Sequence, residues 1–552
     1  MLLVLAVVFR FVNLDRKVYW HDEAFTSMTI TARPGKYLSQ DLFQNRLVKP
    51  ADLLAYQQFV PNLTLRDMVV RLGIEDVQHP PLYYILLRFW AQVWGTAPAI
   101  IRGFSSLLSL LLFPALYWLC LELFESHLSG WVAIALFSVS PFHLAYGQEA
   151  REYGVWAVLT LASSAFLLRA IRFPSGRNWV LYGISMSVSF YTALFSLWIA
   201  IGHFLYTLVI DGETRLVIWP LRIGKRTFLC GITLLGVAFS FIPWAFFIVT
   251  SKMVLGSTTA WTSLPLPLII TVQSAIFNFS RSLVDFNFQF YETIAYFLAI
   301  PVLILQGYAV YVLCRTAPRR IQWFILTFAG ITALSLGLPD LLWGGQRFTV
   351  TRYLIPCFVG LQLTVVYLLT TYLSEARHWK SRFATLVFPL LILLGVLSCG
   401  AYAQANTWWN KALSSNYHEV ADLLNGSDRP LIIVDAFAYN PASMISLSYL
   451  LKPDTQFLLL PPVGTSFPIK GLPEDAKTIF LFNLPPVFRE QFESRYQTRL
   501  IPVFQDPWNE GWKQDKFRPA TLPVPLSGSK TDAIPAKRPL FLVQSRLEEP
   551  AE

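Results

Sequence analysis

The chain has 552 residues, of which 54% are hydrophobic and only 14% charged, and its formal net charge is +10. A soluble protein of this length would carry far more charge, and the mean hydropathy of +0.47 together with many apolar runs of about 20 residues indicates a membrane protein. In such a protein an excess of Lys and Arg is typical of cytoplasmic loops, so the charge does not predict nucleic-acid binding.

The cysteines give no sign of a disulfide framework or of a zinc site. All of them lie in or beside apolar runs without metal-ligand spacing, so we interpret them as small buried hydrophobic residues. They are Cys120, Cys230, Cys314, Cys357 and Cys399.

Uncharged runs predict about eleven transmembrane spans. The first, at residues 1–14, is short and contains Arg10, but no small-residue cleavage site follows it, so we interpret it as a membrane helix rather than a signal peptide. The run at 179–210 is too long for one helix at about 1.5 Å per residue and is predicted to cross twice, turning near Tyr191–Leu194. The other runs are 104–121, 130–147, 153–168, 227–250, 293–314, 321–338, 353–373 and 383–403.

The short basic loops set the predicted orientation. Lys and Arg residues cluster on both sides of the run 179–210 and in the loops near 315–320 and 377–382, which we place in the cytoplasm. An odd number of spans then puts the N-terminus in the cytoplasm and the C-terminal region outside a bacterial-type plasma membrane.

Two long segments are predicted outside the membrane, at 15–81 and 404–552. The first contains a helical stretch at Gly35–Gln58 and is followed by residues 82–95, an amphipathic helix at the outer surface whose apolar run is broken by Arg88 and Gln92. The second predicts a small extracytoplasmic α/β domain with a helix at Pro441–Leu451. Its strand-like runs are 431–434, 456–460, 478–482 and 540–543, and its Pro-rich tail at 519–539 predicts an extended arm.

The fold class is therefore mainly α: a polytopic bundle at 1–403 with juxtamembrane helices and a C-terminal α/β domain at 404–552. By this topology four polar clusters fall at the outer ends of spans. They are Trp20-His21-Asp22-Glu23-Ala24, the stretch from His79 to Tyr84, the stretch from Gln148 to Tyr153, and Arg347 with Thr351-Arg352-Tyr353.

Each cluster also has a structural interpretation without chemistry. Acid pairs in loops are commonly solvated, Pro-Pro commonly opens a helix, Glu149 to Glu152 fits a surface ion-pair cluster, and Arg352 could extend to the headgroups. Ionisable groups at membrane depth are expensive, however, and four such clusters on one membrane face favour a functional site.

The motifs W-x-D-E-A, H-P-P-L-Y-Y and S-P-F-H-L-A-Y-G-Q-E-A-R-E-Y, in this order, resemble glycosyltransferase family 39. That family belongs to the C-type membrane superfamily, with the protein O-mannosyltransferases and the lipid A aminoarabinose transferases. The resemblance covers about residues 1–210 and extends to Thr351–Pro356. Many members have Tyr-Thr-His-Tyr where this chain has Tyr191-Thr192-Ala193-Leu194.

The resemblance implies a polyprenyl-phosphate-sugar donor and an inverting transfer. It matches Asp22 to the acidic residue taken as the base and Glu149 to the acidic position of the second outer loop.

Reaction chemistry suggests roles for the same residues. The donor phosphate leaves as an anion and needs cations, for which Arg151, Arg352 and Arg347 are candidates. The acceptor hydroxyl must lose a proton, so one carboxylate acts as general base, and Asp22 is our choice with Glu23 orienting or tuning it. A retaining mechanism with a carboxylate nucleophile stays open.

Three further residues are candidates for contact with substrate or metal. Glu149 either orients Arg151 or holds a divalent metal that clamps the phosphate, and His79 and Tyr83 are candidate ligands or acceptor contacts. The alternatives in other classes are a transporter or flippase of lipid-linked sugars and a structural protein. The sequence leaves the sugar and the acceptor open, and lipid, glycan and protein hydroxyls all fit.

Overall fold

The computed structural model describes residues 1–211, 215–218, 221–288, 292–375, 379–437, 439–462, 469, 471–473, 476–505 and 541–546. The chain divides into two compact units. The first comprises Met1–Leu14, Asp76–Leu86 and Ala99–Ala405, and the second comprises Asp15–Glu75, Leu87–Pro98 and Asn406–Glu552.

The helices up to residue 210 are short in the N-terminal loop and longer beyond it. In chain order they are α1 (Leu2–Phe11), α2 (His21–Ile30), α3 (Gly35–Leu42), α4 (Pro50–Leu54), α5 (Leu65–Glu75), α6 (Leu82–Trp94), α7 (Pro98–Ser109), α8 (Leu112–Phe124), α9 (His127–Ser138), α10 (Pro141–Gln148), α11 (Tyr153–Arg172), α12 (Gly176–Phe190) and α13 (Ser196–Ile210).

The remaining helices are α14 (Lys225–Ser240), α15 (Ile242–Thr250), α16 (Lys252–Thr259), α17 (Leu268–Ser280), α18 (Thr293–Thr316), α19 (Arg319–Trp343), α20 (Ile355–Leu373), α21 (Trp379–Gln404), α22 (Tyr417–Asn425), α23 (Asn440–Ser448) and α24 (Pro486–Tyr496). The strands are β1 (Arg46–Val48), β2 (Arg215–Ile218), β3 (Leu221–Gly224), β4 (Pro430–Asp435), β5 (Gln456–Leu460), β6 (Thr478–Phe482), β7 (Arg499–Gln505) and β8 (Phe541–Arg546).

The first unit is an assembly of apolar helices, which confirms the polytopic membrane class. In the described part of the chain, six helices are long and apolar enough to cross a membrane, or up to nine if each of three bent pairs is one span. The predicted spans from 104–121 to 153–168 and from 227–250 to 383–403 coincide with members of this set. The bent pair at 252–263 and 268–280, with an angle of 93°, was not predicted.

The predicted double crossing at 179–210 corresponds to α12 and α13. The helix breaks after Phe190 and resumes at Ser196, so the turn near Tyr191–Leu194 is confirmed. The backbone amide of Leu82 donates to the carbonyl of Tyr191 over 3.0 Å, which joins the start of α6 to this turn. At 15 residues each, α12 and α13 are shorter than the six helices that are long enough to cross a membrane.

A bend between α9 and α10 brings the Gln148–Tyr153 segment into the helix assembly. The two helices meet at 65°, and Ser140 and Pro141 open α10, with the Ser140 hydroxyl accepting from the backbone amide of His143. Proline lacks an amide hydrogen and favours the first helical position, so the chain restarts its helix here.

The second unit contains the predicted α/β fold. Its sheet has the order β1-β5-β4-β6-β8-β7, with β5, β4 and β6 parallel and β1, β8 and β7 antiparallel to their neighbours. The four predicted strands are confirmed as β4, β5, β6 and β8, and the predicted helix 441–451 is α23 at Asn440–Ser448. The Pro-rich tail at 519–539 lies outside the described residues.

The predicted helical stretch Gly35–Gln58 is wrong as one helix. It comprises α3, β1, α4 and a 3-10 turn at Ala55–Gln57. β1 pairs with β5 in the register Leu47↔Leu458, so a partner distant in sequence overrides the local helical pattern. The predicted division placed this loop with the transmembrane region, whereas in the structure it belongs to the second unit.

Two apolar layers cover the sheet of the second unit. On one face, Trp20, Ala24 and Met28 share a buried cluster with residues of β4, β5 and α23. On the other face, Phe488 and Phe492 of α24 share a buried cluster with Leu431 and Leu481. The first layer fixes the start of α2, and with it the Asp22-Glu23 pair, on the sheet.

Candidate active site

Asp22 and Glu23 lie in the first turn of α2, in the second unit. Carboxylates are favoured there by the helix dipole. Asp22 Oδ1 lies 3.5 Å from Nε2 of His21, and 14% of the Asp22 side chain is exposed. The other ring nitrogen of His21 lies 3.2 Å from the hydroxyl of Ser414. Asp22 is therefore a partly accessible carboxylate with an imidazole beside it.

Glu23 is in a different environment from its neighbour. Its side chain is fully buried, and its Oε2 atom lies 3.4 Å from Nζ of Lys411, which is buried as well. Lys411 Nζ also lies 5.4 Å from the ring centroid of Trp20. Glu23 is therefore paired with Lys411 inside the protein, whereas Asp22 is partly accessible. The two neighbouring carboxylates have different environments.

A second polar cluster lies in the first unit, at the N-terminal end of α11. His79 Nδ1 lies 2.8 Å from Oε1 of Glu152, and Arg151 Nη2 lies 2.9 Å from His79 Nε2. The hydroxyl of Tyr84 donates to Glu152 Oε2 over 3.3 Å, and Arg151 Nε lies 3.6 Å from the same oxygen. Four side chains from two distant segments therefore form one connected group.

Burial distinguishes this group from a surface ion pair. Arg151 is 3% exposed and Glu152 2% exposed, so the alternative of a surface cluster at 149–152 is wrong. Burial acts to raise the pKa of Glu152, but the charges of Arg151 and His79 outweigh it and lower the pKa to about 2. Burial raises the pKa of Tyr84 well above its usual value, so its hydroxyl keeps its proton. Glu152 is therefore anionic at neutral pH, accepts a hydrogen bond from Tyr84, and lies beside the ring of His79 and the guanidinium of Arg151.

Two of the predicted phosphate ligands meet at the ring of Tyr153. The Cζ atom of Arg151 lies 6.0 Å from that ring's centroid, and Cζ of Arg352 lies 5.5 Å from it. Arg352 belongs to a 3-10 turn at Thr351–Leu354 just before α20, and Tyr353 in this turn stacks on Phe195 with centroids 4.4 Å apart. Both guanidinium groups thus lie within about 6 Å of one aromatic ring, near the N-terminal ends of α11 and α20.

The other predicted site residues have different neighbours. Arg347 donates to Asp340 Oδ1 over 2.7 Å and to the hydroxyl of Ser263 over 2.5 Å. The buried hydroxyl of Tyr83 lies 2.7 Å from that of Ser105. Glu149 is buried at the C-terminal end of α10.

Glu152 was not among the predicted site residues, although the structure gives it a central position. The signal in the sequence was the second acid of Glu-Ala-Arg-Glu, directly beside Arg151 and one residue before an apolar run. A partner for it could not be identified, because His79 and Tyr84 are distant in the chain.

No arrangement of the described residues fits a metal centre. In the described ranges, no three side chains among His, Cys, Asp and Glu lie close enough together to hold a metal ion.

No family model matches the chain, and no curated protein matches it. Among solved structures, it is similar to ArnT from Cupriavidus metallidurans in the apo state, with 11% identity and a TM-score of 0.51 over 98% of this chain and 97% of that chain. The same protein bound to undecaprenyl phosphate gives 11% and 0.49, covering 100% and 98%. The apo oligosaccharyltransferase of Archaeoglobus fulgidus gives 12% and 0.49, covering 87% and 69%. The chain therefore shares the fold of ArnT, and the polytopic membrane fold expected from the sequence is confirmed.

Proposed function

We propose that the protein is a glycosyltransferase that moves a hexosyl or pentosyl group from a polyprenyl-phosphate donor to an acceptor hydroxyl of a lipid, glycan or protein. The reaction takes place at the outer face of a bacterial-type plasma membrane, with the N-terminus in the cytoplasm and the C-terminal domain outside. The observation that carries the proposal is the meeting of Arg151 and Arg352 at the ring of Tyr153.

Two guanidinium groups at this position suit a phosphate. Guanidinium binds phosphate oxygens in a two-pronged geometry, and the N-terminal ends of α11 and α20 add partial positive charge. Both helices are candidate membrane spans. The prenyl chain can therefore lie among membrane lipids while the phosphate lies at the end of the helices, and nothing in the site calls for nucleic acid.

The reaction is a displacement at the anomeric carbon. The acceptor oxygen forms a bond to that carbon, the bond from carbon to the phosphate oxygen breaks, and the polyprenyl phosphate leaves with the electron pair as an anion. Arg151 and Arg352 stabilise this developing charge. The inverting outcome follows from the resemblance to family 39.

Asp22 is the proposed general base that takes the proton of the acceptor hydroxyl. Its partial exposure supports this role, because a base must reach the hydroxyl and water. Glu23 is fully buried against Lys411, which supports a positioning role at the start of α2.

Turnover of defined donors tests the proposal. The full-length protein in lipid nanodiscs is incubated with a panel of radiolabelled polyprenyl-phosphate sugars, beside Asp22→Asn and Arg352→Ala. We expect release of one sugar by the wild type and loss in both variants. Arg172→Gln, an exposed residue at the far end of α11, is the control and retains activity. Lipid transfer across vesicles without sugar release would instead support the flippase.

A further inference from the structure

The sheet of the second unit reverses the direction of its winding between β4 and β6. These strands are parallel neighbours, in the register Ile432↔Phe480. After β4 the chain forms α23, which packs on the same face as Trp20 and Met28, whereas after β6 it forms α24, which packs on the opposite face with Leu431. Where adjacent parallel strands send their connections to opposite faces, a gap opens outside their carboxyl ends, and ligands of α/β proteins bind there.

Hydrogen-bonded polar side chains lie at the carboxyl ends of these two strands. Asp435 is the last residue of β4 and is fully buried. Its Oδ1 atom accepts from Nδ2 of Asn440, the first residue of α23, over 2.9 Å. Asn483, directly after β6, donates through Nδ2 to Oδ1 of Asn440 over 3.3 Å. These bonds join the two diverging connections, and a buried carboxylate thereby sets the orientation of the Asn483 amide.

Accessible side chains at the same place lie close to the proposed general base. Phe437 and Tyr439, between β4 and α23, are partly exposed, and so is Asn483. The ring of Tyr439 lies 4.9 Å from that of His21 between centroids, and Nε2 of His21 lies 3.5 Å from Oδ1 of Asp22. A molecule bound at the carboxyl ends of β4 and β6 therefore lies close to Asp22.

The chemistry of these side chains suits a neutral saccharide. The amide of Asn483 and the phenol of Tyr439 both donate and accept hydrogen bonds, as every sugar hydroxyl does. The aromatic faces offer contact area to the C–H groups of a sugar ring. The carboxylates of Asp22 and Asp435 disfavour a phosphorylated or otherwise anionic molecule, and the polar groups disfavour an acyl chain, which would remove them from water.

We propose that the carboxyl ends of β4 and β6 form the acceptor site, that the acceptor is a neutral saccharide, and that Asn483 and Tyr439 determine its specificity. The assignment to the acceptor rests on the proposed function, in which Asp22 takes the proton of the acceptor hydroxyl. The site selects the glycan among the possible acceptors and gives the C-terminal domain a role in substrate choice. A soluble oligosaccharide and the headgroup of a glycolipid present the same hydroxyls.

Binding in the absence of donor tests the site separately from catalysis. The full-length protein in nanodiscs is titrated with maltotriose, lactose, chitotriose and mannotriose, and saturation-transfer NMR measures the dissociation constants. Glucosyl- and galactosyl-diacylglycerol in the nanodisc present headgroups instead, and trigalacturonic acid is the anionic comparison. We expect a neutral sugar to bind and the anionic one to bind more weakly. Binding in the soluble arm indicates a free glycan, and binding in the glycolipid arm alone indicates a headgroup.

Variants locate the bound sugar at this edge of the sheet. We expect Asn483→Gly and Tyr439→Ala to weaken binding by about five- to tenfold, as for loss of one hydrogen bond. Glycine keeps the left-handed backbone of Asn483, whose φ is +53°. Gln497→Gly is the matched control, because Gln497 has a φ of +49° but lies between α24 and β7, at the opposite edge of the sheet, and it should bind as the wild type does.

Three results would overturn the acceptor site and leave the proposed function intact: no binding of any neutral sugar in either arm, equal binding by wild type and Asn483→Gly, or tighter binding of the anionic sugar. A protein that binds a neutral sugar through Asn483 but turns over no donor would instead contradict the proposed function. Binding by the wild type is informative even if Tyr439→Ala fails to fold.

Discussion

The imidazole of His79 and the carboxylate of Glu152 form a hydrogen bond of 2.8 Å between Nδ1 and Oε1. His79 precedes α6, and Glu152 is the residue directly before α11. The bond therefore joins two motifs that are distant in the chain, and Arg151 contacts both residues. Because these side chains are buried, removal of one of them should measurably lower the free energy of unfolding.

Removal of the Glu152 carboxylate should destabilise the protein. Glu152→Ala leaves the buried charge of Arg151 without this anion, which typically costs about 3–5 kcal/mol. Thermal unfolding of the purified protein should show a clearly lower midpoint. Glu125→Gln removes an exposed acid that pairs with Arg320 and should change little, since surface pairs contribute about 0–1 kcal/mol. Equal shifts for both variants would contradict a structural role for Glu152.

The stabilising effect of Glu152 should depend on pH in a defined window. Its pKa falls from 4.5 to about 2 on folding, so the unfolded chain binds the proton more tightly. The contribution is complete above the unfolded value and is lost as pH falls from 4.5 toward 2. The unfolding midpoints of wild type and Glu152→Gln, measured from pH 6 downward, should therefore converge in acid. A gap that stays constant would show that the carboxylate charge is not the cause.

Arg352 and Arg347 should differ in their effect on catalysis. We expect Arg352→Ala to lower kcat/KM for the donor by about 10²-fold, the magnitude typical of a group that stabilises developing negative charge, with Arg352→Lys in between. Arg347 donates hydrogen bonds to Asp340 and Ser263. We therefore expect Arg347→Ala to lower the unfolding midpoint and to lower kcat/KM less than Arg352→Ala does. A larger catalytic loss for Arg347→Ala than for Arg352→Ala would reverse this assignment.

Gly154 allows a close approach that positions the first turn of α11. A Cβ atom there would lie 2.6 Å from the backbone carbonyl oxygen of Tyr146. Although Ala normally favours a helix over Gly by about 1 kcal/mol, the clash with backbone should make Gly154→Ala destabilising by about 1–3 kcal/mol. Gly307→Ala in α18, where nothing lies within 4 Å of the added atom, is the matched control. A neutral Gly154→Ala would show that the segment adjusts.

The pair of Glu23 and Lys411 should behave as one buried unit. Lys411→Met removes the cation from beside a fully buried carboxylate and should cost about 3–5 kcal/mol. The double variant Glu23→Gln with Lys411→Met should recover part of that loss, and a double-mutant cycle measures the coupling. Strictly additive effects would mean that the two charges do not interact.

The sequence predicts those features that depend on local composition. Apolar runs identify most spans, and the length of the run at 179–210, with basic residues on both sides of it, predicts the turn near Tyr191–Leu194. The sequence does not predict β1. The three residues of β1 form a strand only because they pair with β5, and local periodicity contains no information on that partner.

The same limit applies to the candidate site. Arg151 and Arg352 were predicted as phosphate ligands from chemistry and motif, and their common neighbour Tyr153 became evident only in three dimensions. Glu152 was overlooked because an acid beside an arginine usually forms a solvated pair, and only burial with His79 and Tyr84 gives it another role. Arg347 was grouped with Arg352 by proximity in sequence, yet it hydrogen-bonds to Asp340.

Sugar release from radiolabelled polyprenyl-phosphate donors by the full-length protein tests the central proposal most directly. We expect turnover of at least one donor by the wild type and by Arg172→Gln, and its loss in Asp22→Asn and Arg352→Ala at equal protein levels. Undiminished turnover in Arg352→Ala, or no turnover of any donor by a wild type that binds the lipid, would contradict it.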